Sequence, residues 1–297
     1  MSLTRVLVLT SLAMVAFAGN SLLCRLALKD AQIDAASFTS IRLISGAAVL
    51  WLIVRARRQA MDGSGDWRSA LALFAYAAGF SYAYIDLPAA IGALLLFGAV
   101  QVTMIGYGLS TGERLGLRQS TGLVLAFGGL VGLLLPGLSA PPPGGAVLML
   151  GAGIAWGIYS IRGKGAGDAT YTTAGNFLRA APLAVGLNLA MLPASRPETL
   201  GIACAVASGA ITSGIGYAIW YSAIRGLKAT HAATVQLSVP VLAAAGGIVF
   251  LGEAISVRLV IASVAILGGV ALVVIEMRGN ATPVEDRHLR AEPFDQL

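Results

Sequence analysis

LPAAIGALLLFGAVQVTMIGYGLSTGERLGLRQSTGLVLAFGG (residues 87–129) and LKATHAATVQLSVPVLAAAGGIVFLGEAISVRLVIASVAILGG (residues 227–269) are two copies of one pattern, 140 residues apart. The offset aligns Leu87 with Leu227, Ala89 with Ala229, and Gly112-Glu113 with Gly252-Glu253. It also puts Arg118 on Arg258 and Gly128-Gly129 on Gly268-Gly269. Ten identities fall in the fifty residues from 86 to 135 without a gap, and the Gly-Glu…Arg…Gly-Gly spacing carries the signal. A similar offset sets Arg42 opposite Arg179. Each copy is apolar on both sides of its Gly-Glu pair, so the repeated unit consists of hydrophobic spans.

The rest of the chain continues this pattern. Of its 297 residues, 57% are hydrophobic and 11% are charged, against about 25% charged in soluble domains. So few charges cannot wet a surface of this size, and most of the exterior must face lipid. Mean hydropathy is +0.81. The net charge of +6 comes from basic residues in short loops between apolar runs. These form no continuous stripe, which excludes a nucleic-acid partner.

Apolar runs give ten spans near 5–28, 35–54, 68–85, 89–111, 118–136, 144–162, 170–192, 200–224, 229–251 and 256–276. Backbone groups in hydrocarbon must be paired within the segment, so runs of this length are helices. Arg5 and the run to Ala16-Phe17-Ala18 resemble a signal peptide with its cleavage site. The run continues past Leu22-Leu23, however, and is read as the first span. With the N-terminus inside, the inner segments hold fourteen Lys and Arg, and the outer loops hold Arg25, Lys29, Arg196 and Arg258. That asymmetry predicts a plasma (inner) membrane protein with both termini cytoplasmic. The Asp86-Leu87-Pro88 turn, without Lys or Arg, is then an outer loop, whereas its repeat partner Arg225-Gly226-Leu227-Lys228 is an inner one.

The expected fold is all-α and membrane-embedded: two five-helix repeats, 1–138 and 139–277, followed by a polar, disordered tail, 278–297. Five spans is an odd number, so the two repeats enter the membrane from opposite sides around a central cavity, the architecture of alternating-access carriers.

Ala155-Trp156-Gly157 in span six, Arg42 in span two, Gly112-Glu113-Arg114-Leu115 and Gly252-Glu253-Ala254-Ile255 resemble the EamA domain of the drug/metabolite transporter superfamily. The resemblance covers all ten spans and is strongest to the YddG-type exporters of aromatic and other amino acids. It implies a ten-helix basket around a cavity and export of small metabolites from the cytoplasm. Span one departs from the family pattern: Ala18-Gly19-Asn20 stands where Trp-Gly and a small polar residue are common.

Polar residues inside spans mark the candidate site. Arg42 lies about two turns into span two from the outer side, and Arg179 lies at the mirror depth in span seven. Glu253 and Glu113 end spans nine and four. Two readings remain open: Arg42 with Glu253, and Arg179 with Glu113, form latches at the outer and inner rims, or each Arg snorkels to lipid phosphate. In span three, Tyr76, Phe80 and Tyr84 recur every four residues, and Tyr82 lies off that face. Tyr84 is expected in an interfacial aromatic belt. Phe80, with Trp156, Tyr159 and Trp220 of spans six and eight, is expected to line the cavity together with Tyr76 and Tyr82. Asn20 and Gln236 are the polar contacts expected for substrate, and Gln101, Asn176 and Asn188 are further polar groups at depth. Pro240 is expected to kink span nine.

Cys24 and Cys204 sit in apolar runs outside any metal-ligand spacing, so neither a metal nor a cofactor is expected. No nucleophile–base set supports an enzyme, and no filter-like loop or ring of charge supports a channel. The expected function is therefore export of small metabolites, most of all neutral and aromatic amino acids. The expected partners are a small-molecule substrate and the lipid bilayer, with no obligate protein partner. No carboxylate sits near a midplane, which favours an uncoupled facilitator. The alternative is a drug or other metabolite exporter, possibly proton-coupled.

Overall fold

The computed structural model describes residues 3–30, 32–57, 65–111, 116–135, 140–163, 168–191, 197–224, 235–236 and 238–276. Among these, all regular structure is helical. The helices are α1 (Leu3–Lys29), α2 (Ala35–Ala56), α3 (Trp67–Asp86), α4 (Ala89–Ser110) and α5 (Leu117–Leu134). There follow α6 (Pro143–Gly163), α7 (Ala169–Met191), α8, α9 (Ser238–Leu251) and α10 (Val257–Glu276). Helix α8 is one rod in three parts: Thr199–Ala207, a π-helical stretch Ser208–Ile215, and Gly216–Ile224.

Nine of the ten expected spans match these helices to within two residues at each end. The exception is the start of span nine, where residues 229–234 and 237 lie outside the described residues. Five helices, α1, α2, α4, α6 and α8, are long and apolar enough to cross a membrane. Across the bundle, exposed apolar side chains such as Leu7 and Val15 of α1, Val124 and Phe127 of α5, Val249 of α9 and Val264 of α10 face outward. Water would not tolerate such a surface, whereas lipid requires it.

In lipid, helices gain little by hiding apolar surface from one another, so close packing through small residues holds the bundle together. The most extensive contacts are between α5 and α10, α3 and α6, α2 and α7, and α4 and α6; α1 packs on α8 and α9. At the α5–α10 crossing, a Cβ on Gly129 would meet Ala265 and Ile266 at 2.9 Å, and one on Gly269 would collide with Gly122 and Ala126. The neighbouring Gly128 and Gly268 have nothing within 4 Å. One glycine of each Gly-Gly pair therefore carries the helix contact, and its neighbour faces open space.

This difference makes a direct test. Gly269→Leu is expected to destabilise the protein by about 1–3 kcal/mol, the usual cost of overpacking. Gly268→Leu is expected to leave it nearly unchanged. Thermal unfolding of both variants in detergent decides, and equal midpoints would contradict the packing.

Candidate functional site

A cavity lies at the middle of α3, where Tyr76 and Phe80 face inward one turn apart. Phe17, Asn20 and Ser21 of α1 close one side, and Leu96 and Phe97 of α4 another. Trp156 of α6, Thr212, Ser213 and Tyr217 of α8, and Gln236 complete the wall. The rings are in mutual contact. Trp156 lies 5.2 Å from Tyr217 with 18° between planes, 4.7 Å from Tyr76 and 5.5 Å from Tyr159. Phe17 meets Tyr217 at 5.7 Å, and Tyr76 meets Phe80 at 5.5 Å. This wall offers flat, apolar faces with a few polar groups set between them.

Two of those polar groups, Thr212 and Ser213, come from the π-helical stretch. Widening the helix over Ser208–Ile215 brings Ser208, Thr212 and Ser213 toward α1 and α2, and π segments recur at functional sites. Asn20 Oδ1 accepts from Ser208 Oγ (2.6 Å) and Thr212 Oγ1 (3.2 Å), and Asn20 Nδ2 donates to Tyr76 Oη (3.4 Å). Arg42, 2% exposed, stands just behind this wall. It donates through Nη2 to Tyr76 Oη (2.9 Å) and through Nε to Ser213 Oγ (3.3 Å). Its guanidinium carbon also sits 4.9 Å from the centre of the Phe80 ring and 5.1 Å from that of Tyr76. Gly209 permits this approach, because a Cβ there would fall on the Arg42 carbonyl oxygen and Ser45 Oγ.

Each end of α3 carries an ion pair. At the C-terminal end, Arg25 donates to the carbonyls of Tyr84 (3.0 Å) and Ile85 (2.7 Å) and lies 3.5 Å from Glu253. Both oxygens of Glu253 accept the Ala89 N–H at 2.9 Å. Helix α4 starts after Pro88, which offers no side-chain cap, so Glu253 meets the positive end of its dipole. Gly252, at φ +64, lets the chain turn back to place that carboxylate. Gly252-Glu253 is thus a helix stop followed by a cap for a neighbouring helix.

At the N-terminal end of α3, Arg162 donates to Asp66 (2.8 Å) and to Ser69 Oγ (3.0 Å). Asp66 caps α3 by accepting the Arg68 and Ser69 N–H groups, and its own N–H donates to Asn176 Oδ1 (2.9 Å). Burial raises the Asp66 carboxyl pKa, but the bonds from the Ser69 hydroxyl and N–H and the Arg162 guanidinium outweigh it and hold the group at about 2. Because the folded value lies below the ordinary 3.8, this stabilisation is complete above about pH 4 and is lost as the pH falls toward 2. The stability difference between the wild type and Asp66→Asn is therefore expected to be constant from pH 5 to 8 and to shrink below 4. Unfolding midpoints at stepped pH check this, and a difference that changes between pH 5 and 8 would contradict it.

An aromatic-walled cavity at the centre of a multi-pass helical bundle is the arrangement of a membrane carrier, and similarity to known proteins gives the lineage. Residues 143–275 match the EamA-like transporter family. The chain is 57% identical over 278 residues to the uncharacterized protein PA1977 of Pseudomonas aeruginosa, covering 93% of this chain and 97% of that one. The chain belongs to the EamA-like transporter family. A solved structure described only as a crystal structure of a protein shares the fold, with a TM-score of 0.64 and 22% identity. That likeness covers 90% of this chain and 99% of the other. The protein is thus an EamA-family multi-pass membrane transporter of the drug/metabolite superfamily.

Around the EamA cavity, the structure brings together five of the eight residues named from the sequence as substrate contacts: Asn20, Tyr76, Phe80, Trp156 and Gln236. The other three stand outside the wall. Tyr159 packs behind Trp156 and accepts from Asn176 (3.4 Å), Trp220 packs behind Phe17 at 5.9 Å, and Tyr82 is half-buried on another face of α3. The expected Arg42–Glu253 pair is not made: Arg42 turns into the bundle toward Tyr76 and Ser213, and Arg25 meets Glu253 instead. Neither does Arg42 snorkel. Glu113, the expected partner of Arg179, lies outside the described residues; Arg179 donates to the Gly175 carbonyl (2.9 Å).

One further expectation changes. Tyr84 is fully buried rather than part of a belt, because α4 covers the end of α3 and Gly92 leaves room for its ring. The kink expected at Pro240 depends on residues 225–234 and 237, which lie outside the described residues; within α7 the structure has Pro182 inside the helix. Sequence reasoning missed Phe17, Thr212, Ser213 and the Arg25 and Arg162 ion pairs. The Ser/Gly-rich run Ser208-Gly-Ala-Ile-Thr-Ser-Gly214 was the available signal for the polar part of the wall.

Proposed function

We propose that this chain exports small metabolites, foremost neutral and aromatic amino acids as the YddG-type exporters do, by alternating access without ion coupling. The observation that carries this reading is the central cavity, walled by Phe17, Tyr76, Phe80, Trp156 and Tyr217 and floored by Asn20, Thr212 and Ser213. A ring-bearing or aliphatic side chain suits such faces, and the amides and hydroxyls suit its polar end. Among the described residues, no carboxylate lines the cavity, which speaks for facilitated movement down a gradient.

Alternating access needs two related halves, and the packing is consistent with inverted repeats. Exchanging each helix for its counterpart five elements away turns the α3–α6 contact into α8–α1, α4–α6 into α9–α1, and α2–α8 into α7–α3. The α5–α10 contact maps onto itself, with Gly129 against Ile266 and Gly269 against Ala126 related by the 140-residue offset. In this reading the protein lies in the plasma (inner) membrane with both termini cytoplasmic. The Arg162–Asp66 pair then closes the cytoplasmic end and the Arg25–Glu253 pair the outer end, each made and broken in turn. Arg42 lies behind the cavity wall, and the roles of Arg179, Glu113 and Pro240 in gating stay part of the proposal.

The test is radiolabelled phenylalanine, leucine, threonine and methionine flux in proteoliposomes of the pure protein without an ion gradient. Saturable flux, competed by unlabelled amino acids, is expected. Flux only under a proton gradient would overturn the uncoupled reading, and none under any condition would overturn the substrate class.

A further inference from the structure

We propose that the cavity holds its ligand by a carboxylate, bound by the Tyr76 and Ser213 hydroxyls, which Arg42 behind them forces to act as donors. This deepens the transport reading above by naming the charged group that the site recognises.

The argument is one of hydrogen-bond accounting. A guanidinium can only donate. Arg42 Nη2 therefore occupies a lone pair of Tyr76 Oη at 2.9 Å, and Nε one of Ser213 Oγ at 3.3 Å. Asn20 Nδ2 donates to Tyr76 Oη as well, at 3.4 Å. Each hydroxyl keeps one proton that these bonds do not use, and both residues line the cavity. Among the described residues, neither proton has a protein acceptor. Two donors thus face the same space, each polarised by a positive charge at its back.

The charge balance points the same way. Arg42 is 2% exposed, and its Nη1 has no hydrogen-bond partner. The ion pairs among the described residues, Arg25–Glu253 and Arg162–Asp66, are at the two ends of α3, so neither neutralises it. A cation kept at depth without a counter-ion is costly, and it makes the cavity favourable to an anion. The aromatic faces of Trp156, Tyr217 and Phe80 suit an apolar body the size of a ring. The ligand class is a carboxylate carrying such a body, and the ammonium of an amino acid is not required by these contacts.

Two probes with the same body separate the charge from the ring: 3-phenylpropionate and 3-phenylpropanamide. Binding to the full chain in detergent, followed by calorimetry, is expected to favour the carboxylate at least tenfold. Tyr76→Phe keeps the ring against Trp156 and removes the donor, so it is expected to abolish most of that preference while amide binding changes little. Ser213→Ala is expected to reduce the preference partially, and neither variant depends on replacing the buried Arg42. Equal binding of the two probes, binding of neither by folded protein, or an unchanged preference in Tyr76→Phe would overturn the proposal. Failure of the export reading looks different: carboxylate binding persists, but no labelled amino acid moves in proteoliposomes. Amino-acid flux competed equally by phenylalanine and phenylalaninamide would instead keep export and remove the carboxylate site.

Discussion

Truncating Trp156 to alanine is expected to raise the phenylalanine concentration giving half-maximal flux at least tenfold, whereas Trp156→Phe should raise it only a few-fold. The indole is the hub of the ring cluster: it meets Tyr217, Tyr76 and Tyr159, which come from α8, α3 and α6. Paired rings gain about 0.5–1.5 kcal/mol beyond their area, and a tenfold change in affinity is about 1.4 kcal/mol. Loss of one ligand-facing ring together with collapse of its neighbours therefore reaches tenfold without unusual assumptions. Phenylalanine at the same place keeps an aromatic face and most of the stacking on Tyr217. Flux saturation curves for the two variants, with protein amount matched, give the answer. An unchanged half-saturation in Trp156→Ala would remove the indole from the site.

Gly209→Leu is expected to be the most damaging single substitution in the bundle, with an unfolding midpoint lowered by roughly 5–10 °C or no folded protein recovered. A Cβ at this position falls on the Arg42 carbonyl oxygen and on Ser45 Oγ. Overpacking costs about 1–3 kcal/mol where side chains can yield. Here the obstacle is the backbone of α2, so the helix itself must move. Moving it pulls Arg42 away from Tyr76 and Ser213, and any fraction that folds should lose preference for the carboxylate probe. Gly151→Leu on α6 is the control, since nothing lies within 4 Å of a Cβ there. Similar midpoints for the two variants would show that α2 and α8 do not pack as described.

The Gly-Glu motif shows how far sequence reasoning reached. Its recurrence at 112–113 and 252–253 revealed the repeat, and it placed Glu253 at a span end. Its partner was misjudged. Arg25 and Arg42 lie on the consecutive helices α1 and α2, and linear depth favoured the residue that looked stranded in a span. Arg42 instead finds hydroxyls and ring faces from α3 and α8, so it does not need the carboxylate. Tyr84 failed for a related reason: depth marks a residue as near the interface, but only the packing of α4 over α3 shows that no lipid reaches it.

What the amino-acid order determined by itself is local or periodic. Each span must satisfy its own backbone hydrogen bonds in hydrocarbon, so length and hydropathy suffice to find ten helices, with boundaries good to about two residues wherever the chain is described. The 140-residue pattern of identities is likewise legible in the sequence alone. Only the tertiary structure decided which polar groups meet. The rotation of a helix about its axis and the height at which it crosses a neighbour depend on glycine contacts such as Gly209 and Gly269. A π-helical stretch shifts the angular register of every residue after it, which the mean spacing of a sequence does not encode. The residues that meet Arg42 therefore come from α3 and α8, which no interval along the chain connects to it.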